Sequence, residues 1–157
     1  MDVLIRKGVK SDLPAVLDLI KELADFERAL NEVTVSLEDL EHDGFGNHPY
    51  YLFIVAEKEG EIIGLSFYFI RYSTWKGRFL FLEDFVVKES FRNKGVGALL
   101  FEETIRIAKE LDVKGMTWQV LDWNKNAIRF YEKYNSNIST EWYNGKLTYE
   151  QLKQFTL

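Results

Sequence analysis

"VVKESFRNKGVGALLFEE", residues 86–103, decides how this chain is read. An apolar stretch ends in a turn where two glycines stand one residue apart, Gly95 and Gly97, behind Arg92, Asn93 and Lys94. From Val96 and Ala98 onward an apolar run of helical period begins. A strand feeding a helix through such a turn leaves several main-chain N–H groups free at the helix start. They point at a common spot, and the helix dipole adds positive potential there. Glycine lets the backbone approach a bulky anion, and Arg92 and Lys94 can add charge. The expected ligand is a pyrophosphate. The Walker pattern lacks its Gly-Lys-Ser/Thr ending and the Rossmann pattern needs a third small residue where Leu100 stands, so both nucleotide readings are weak. A glycine-eased helix start with two solvated basic residues would show the same spacing.

Working back from this turn, "GRFLFLEDFVVKES" is too apolar for a solvent-facing edge and reads as an interior strand. "VLIRKG" reads as a first strand, and "KSDLPAVLDLIKELADFERAL" as a helix capped by Ser11, with Pro14 harmless in its first turn. "SLEDLEHDGFG" reads as a shorter helix opened by Ser36 and stopped by Gly44. "YYLFIVAEKEGEIIGLSFYFIRYS" alternates and turns at Glu59-Gly60 as a hairpin. Beyond the turn come a helix to about Leu111, a strand "GMTWQVLDW", a helix "NKNAIRFYEKY" and a terminal hairpin turning at Asn144-Gly145. No repeat or linker interrupts the order, so a single domain over residues 1–157 with one mixed sheet and flanking helices is expected.

Composition narrows the chemistry. The chain has 157 residues, 46% of them hydrophobic, enough for a core of ordinary size. It has no cysteine, which excludes disulfides, thiolate metal sites and a cysteine nucleophile. His42 and His48 read as structural, and no metal site is expected. No apolar run spans a bilayer, and the reading is of a soluble, cytoplasmic protein that engages no membrane. Twenty Lys and Arg against 25 Asp and Glu argue against nucleic acid as a partner and permit a cationic substrate, although such a balance also serves solubility.

"VVKESFRNKGVGALLF" resembles the Arg-x-x-Gly-x-Gly signature of the GCN5-related N-acetyltransferases (GNAT), and "NKNAIRFYEKY", some 30 residues on, resembles a later helix of the same family. "IKELADFE", "EHDGFGNHPYY", "RYSTWKG" and "FLEDFVV" extend the likeness to the spermidine/spermine (diamine) N-acetyltransferases over nearly the whole chain. Ser73-Thr74 before Trp75, and "VLDWN", are closer to the branch acting on thialysine. Tyr134-Asn135 replaces a frequent Leu-Gly pair, and Asn tolerates the left-handed conformation which that turn needs. The resemblance implies an α/β (α+β) GNAT fold, with a largely antiparallel sheet of about seven strands flanked by about four helices. It also implies acetyl-CoA as co-substrate, a homodimer, and a primary amine on a small cationic substrate, either a thialysine- or lysine-like amino acid or a polyamine.

Acetyl transfer to an amine requires removal of one proton from an ammonium of pKa about 10.4 and delivery of one to the departing thiolate. By the resemblance Glu83 takes the first role, directly or through water, and Tyr131 the second. Glu83 and Asp84 are neighbours on a strand, so they face one site only if a bulge intervenes. The cofactor would be held by the backbone of Phe85, Val86 and Val87, by Arg92, Asn93, Lys94, Gly95, Val96, Gly97 and Ala98, and by Asn124 and Ala127 in the later helix. Asn124 could equally be a plain helix cap. Phe26, Glu27, Trp75, Trp118, Glu141 and Glu83 are the candidate amine contacts, since an ammonium is met by carboxylates and aromatic faces. A binding protein without turnover, and an enzyme acetylating proteins, are the alternatives on the same scaffold.

Overall fold

The computed structural model describes residues 2–156, which fall into two compact units, one reaching to Gln119 and the other starting at Val120. In the first, β1 (Leu4–Lys7), β2 (Leu52–Lys58), β3 (Glu61–Ser73), β4 (Gly77–Val87) and β5 (Met116–Trp118) form one sheet in that spatial order. Every pairing is antiparallel except β4 with β5. The β2–β3 turn places Glu59 at φ 52° and Gly60 at φ 81°, the double left-handed geometry of a tight hairpin. The two faces of the sheet are covered separately. Helices α1 (Leu13–Phe26) and α2 (Leu37–Phe45) close one face over Val55, Leu65 and Val86, and α3 (Val96–Glu110) closes the other over Ile54, Ala56 and Ile63.

Local chemistry accounts for the helix starts. Ser36 accepts the Asp39 N–H at 3.0 Å and opens α2, which runs one residue past Gly44. Ser11 does not cap α1: a short 3₁₀ turn, Lys10–Asp12, precedes the helix, and Asp12 takes over as the organising side chain. Its carboxylate accepts the Val9 N–H at 2.8 Å and a two-pronged contact from Arg6 at 2.8 and 2.9 Å. The arginine is the main reason that its pKa lies below the ordinary carboxylate value.

Four further expectations are corrected. The sheet has five strands among the described residues, not about seven. The strand foreseen over 115–123 pairs only through Met116–Trp118, because the next partner position on β4 is Glu83, an unpaired extra residue where the ladder breaks. The terminal hairpin is absent: residues 137–147 carry no regular structure, and α5 (Tyr149–Gln154) stands where a last strand was expected. The Thr148 hydroxyl accepts the Gln151 N–H and the Gln151 side chain accepts the Thr148 N–H, a reciprocal cap that favours a helical turn. With α4 (Lys125–Glu132) the α-helices among the described residues number five instead of about four.

Candidate active site

β4 and the turn after it position the candidate groups. Along its first half the strand is paired on both sides, Leu80, Phe81 and Leu82 facing Ile70, Phe69 and Tyr68 of β3 and Met116, Thr117 and Trp118 of β5. The ladder with β3 then skips a residue: Leu82 pairs with Tyr68 and Asp84 with Phe67, leaving Glu83 as the bulge. Phe67 packs in the cluster beneath α1, so its partner Asp84 lies on the α1 face. Leu82 lies on the opposite face, so Glu83, next in alternation, also emerges on the α1 side. The condition for both carboxylates to serve one site is met.

Glu27, directly after α1, lies within electrostatic reach of this pair. Burial raises its pKa. Asp84 is raised further, to about 6, by burial first and then by the charges of Glu83 and Glu27. Three carboxyl groups thus share one face at the point where β4 loses β5. Asp84 had no role in the sequence reading; the acidic pair was visible there, but its register against β3 was not.

From Glu83 to Val87 the edge of β4 turned away from β3 has no strand among the described residues. The backbone of Phe85, Val86 and Val87 lies along this edge, with Val86 buried on the α1 face and Phe85 and Val87 packed on the α3 face. The chain then enters the turn. Asn93 (φ 59°) and Gly95 (φ 85°) are both left-handed, and no side chain caps α3. The first helical bond runs from the Leu99 N–H to the Gly95 carbonyl at 3.2 Å, which leaves the N–H groups of Val96, Gly97 and Ala98 without an intrahelical acceptor. A Cβ built on Gly95 would meet nothing within 4 Å, so the space before the helix is open and positively polarised.

The basic side chains of the turn are engaged within the protein. Lys94 Nζ donates to the Ser90 carbonyl at 2.8 Å. Arg92 Nε donates to the Val87 carbonyl at 2.9 Å, and its guanidinium lies over the Phe26 ring, 5.5 Å from the centroid.

Other candidates lie elsewhere. Trp75 is 85% exposed in the β3–β4 turn, and the six residue steps from Gly77 to Glu83 span roughly 20 Å of strand. Trp118 meets Phe101 edge-on at 5.5 Å on the α3 face, away from the carboxylates. In the second unit Asn124 caps α4, accepting the Ala127 N–H at 3.3 Å. Tyr131 is buried on that helix, in edge contact with Phe130. Glu141 is exposed in the irregular stretch. The turn after α4 carries Asn135 at φ 56°, the left-handed residue expected there.

Known proteins share the sequence pattern and the fold. Residues 16–135 match the family model "Acetyltransferase (GNAT) family". The thialysine N-ε-acetyltransferase of Bos taurus is 37% identical over 147 residues, covering 88% of this chain and 86% of the relative. That of Sus scrofa is 33% identical, covering 97% and 96%. The spermidine/spermine N(1)-acetyltransferase-like protein 1 of Homo sapiens is 31% identical, covering 94% of this chain and 23% of that longer protein. Among solved structures, the integron cassette protein VCH_CASS6 of V. cholerae superposes with a TM-score of 0.79 at 21% identity, over 98% of this chain and 97% of that one, a likeness of fold. With its glycine turn, its interrupted β4 and these relatives, the chain belongs to the acetyltransferase (GNAT) family and is an N-acetyltransferase.

Proposed function

We propose that the protein transfers acetyl from acetyl-CoA to a primary amine of a small cationic molecule, by direct attack while both substrates are bound. The observation that carries this reading is the β4 bulge, which aims Glu83 and Asp84 to the same side as Glu27 directly before the unpaired amides of α3. The open start of α3 fits a pyrophosphate, and the β4 segment Phe85–Val87, which β5 does not reach, fits an amide-bearing arm, with Arg92, Asn93 and Lys94 in the turn between them. Acetyl-CoA supplies the thioester carbonyl that the amine attacks.

Glu83 draws the proton from the ammonium through a water, freeing the nitrogen lone pair. The N–C bond forms as the C–S bond breaks, the Tyr131 phenol gives its proton to the departing sulfur, and the second proton shed by the acylated nitrogen restores the phenol, leaving a neutral amide and a free thiol. Tyr131 enters on the resemblance of its helix, as do Asn124 and Ala127. Asp84 and Glu27 provide the negative field that draws an ammonium to Glu83. The absence of cysteine in the sequence agrees with direct transfer.

The relatives named above favour a thialysine- or lysine-like amino acid as the amine, with polyamines second. The resemblance gives Trp75 a contact with the amine, and at roughly 20 Å of strand from Glu83 it would make that contact in the site of a second copy. A homodimer with its sites along the interface therefore completes the proposal. The exposed Trp142, Tyr143, Tyr149 and Phe155 supply apolar surface for such an interface. The test is mass spectrometry of products formed from acetyl-CoA with thialysine, lysine, spermidine and spermine. One added acetyl group on an amine nitrogen is expected, and no acetylated product from any of the four overturns the proposal.

A further inference from the structure

The turn that carries the α3 amides is held from the side by α1. Glu22, a little more than one helical turn before the end of α1, points its carboxylate at the chain leaving β4. Its Oε1 accepts the Glu89 N–H at 3.1 Å and lies 3.4 Å from Arg92 Nη2. Arg92 in turn donates from Nε to the Val87 carbonyl and stacks over Phe26, the last residue of α1. One carboxylate thus meets the turn at two points, a main-chain amide and a guanidinium, three residues apart.

The segment between those points and α3 needs such support. Asn93 adopts the left-handed conformation, which costs a non-glycine residue energy, and no side chain caps the helix that follows. Lys94 bonds back to Ser90 within the turn and ties it to nothing outside. Lys88 pairs with Glu61 before the turn begins. Phe91 packs the turn on the α3 side, and Glu22, together with the stack of Arg92 on Phe26, fixes it against α1. That same helix ends beside Glu27.

We propose that Glu22 is a positioning residue for acetyl transfer: through the Glu89 amide and Arg92 it holds the turn so that the Val96, Gly97 and Ala98 amides converge on the cofactor's pyrophosphate. Glu22 touches neither substrate. The inference rests on the function proposed above and adds a residue to it. Removing the carboxylate leaves the turn free to sample other shapes, and cofactor affinity falls by the fraction of time spent out of place. Groups that act on the amine are untouched.

The experiment compares wild-type protein with Glu22→Ala and Glu22→Gln, measuring acetyl-CoA affinity by calorimetry, KM for acetyl-CoA, kcat, and the urea midpoint. Glu22→Ala is expected to raise Kd and KM for acetyl-CoA about tenfold, the loss expected of one hydrogen bond to a charged group. Its kcat stays within about twofold of wild type, as expected where positioned binding and not chemistry is lost. Glu22→Gln, which keeps an acceptor for the Glu89 amide, recovers part of the affinity. Unchanged acetyl-CoA affinity in both variants overturns the inference, as does a fall in kcat in step with stability. If Glu22→Ala does not fold, Glu22→Gln carries the test, and wild-type affinity in it overturns the proposal. Wild-type protein that binds no acetyl-CoA refutes the parent reading, whereas equal binding by wild type and variants refutes the role of Glu22 alone.

Discussion

The two halves of β4 are built from one continuous strand and do different work. From Gly77 to Leu82 the strand pairs with β3, from Leu80 onward also with β5, and it buries Leu80 and Leu82. From Glu83 to Val87 it keeps β3 alone and carries two acids on one face. Where both edges are satisfied, the residues hold the fold together. Where one edge is open, backbone groups and carboxylates remain for ligands. On the function proposed above, the chemistry begins where the ladder stops.

Three substitutions test that division. Glu83→Gln strikes the open half and is expected to lower kcat/KM for the amine by on the order of 10²- to 10⁴-fold, the usual contribution of a general base. Acetyl-CoA affinity and the urea midpoint stay near wild type. A retained turnover would show that the bulge does not carry the base.

Leu80→Ala strikes the closed half. Leu80 is fully buried, and the truncation should cost about 2–5 kcal/mol in urea unfolding while acetyl-CoA affinity persists wherever the protein is folded. Loss of affinity without loss of stability would erase the distinction between the halves.

Asp84→Asn gives the smallest effect, and its sign is set by pH. The carboxyl is raised from 3.8 to about 6 in the folded protein. Between about pH 4 and 6 the folded chain therefore keeps a proton that the unfolded chain has released, and stability falls as pH rises through that window. The asparagine variant should remove a slope on the order of 2 kcal/mol, read from denaturation at pH 4 and pH 7. In the wild type, KM for the amine should fall as pH rises through 6 and Asp84 gains its charge, and the variant should flatten that curve.

Much of this was readable from residues close together in the chain. The Glu59-Gly60 hairpin, the Ser36 cap, the glycine turn and the left-handed Asn135 each follow from hydrogen bonds and backbone preferences spanning a few positions. The family was legible for the same reason, since its signature lies in one strand, turn and helix. The terminal hairpin misled because Asn144-Gly145 is a good turn signal, whereas a strand also needs an edge to pair with, and the Thr148 cap favours helix.

The site itself depended on partners far away in sequence. Whether Glu83 and Asp84 oppose or join each other is a matter of register against Phe67 and Tyr68, sixteen and fifteen residues back across the sheet. Whether Arg92 faces solvent or α1 depends on Glu22 and Phe26, about seventy residues away. Local turns and caps are settled by neighbours along the chain, so the amino-acid order alone is enough for them. Facing, pairing and the shift of a carboxyl pKa arise from what the folded sheet and helices bring into contact, and no local pattern encodes them.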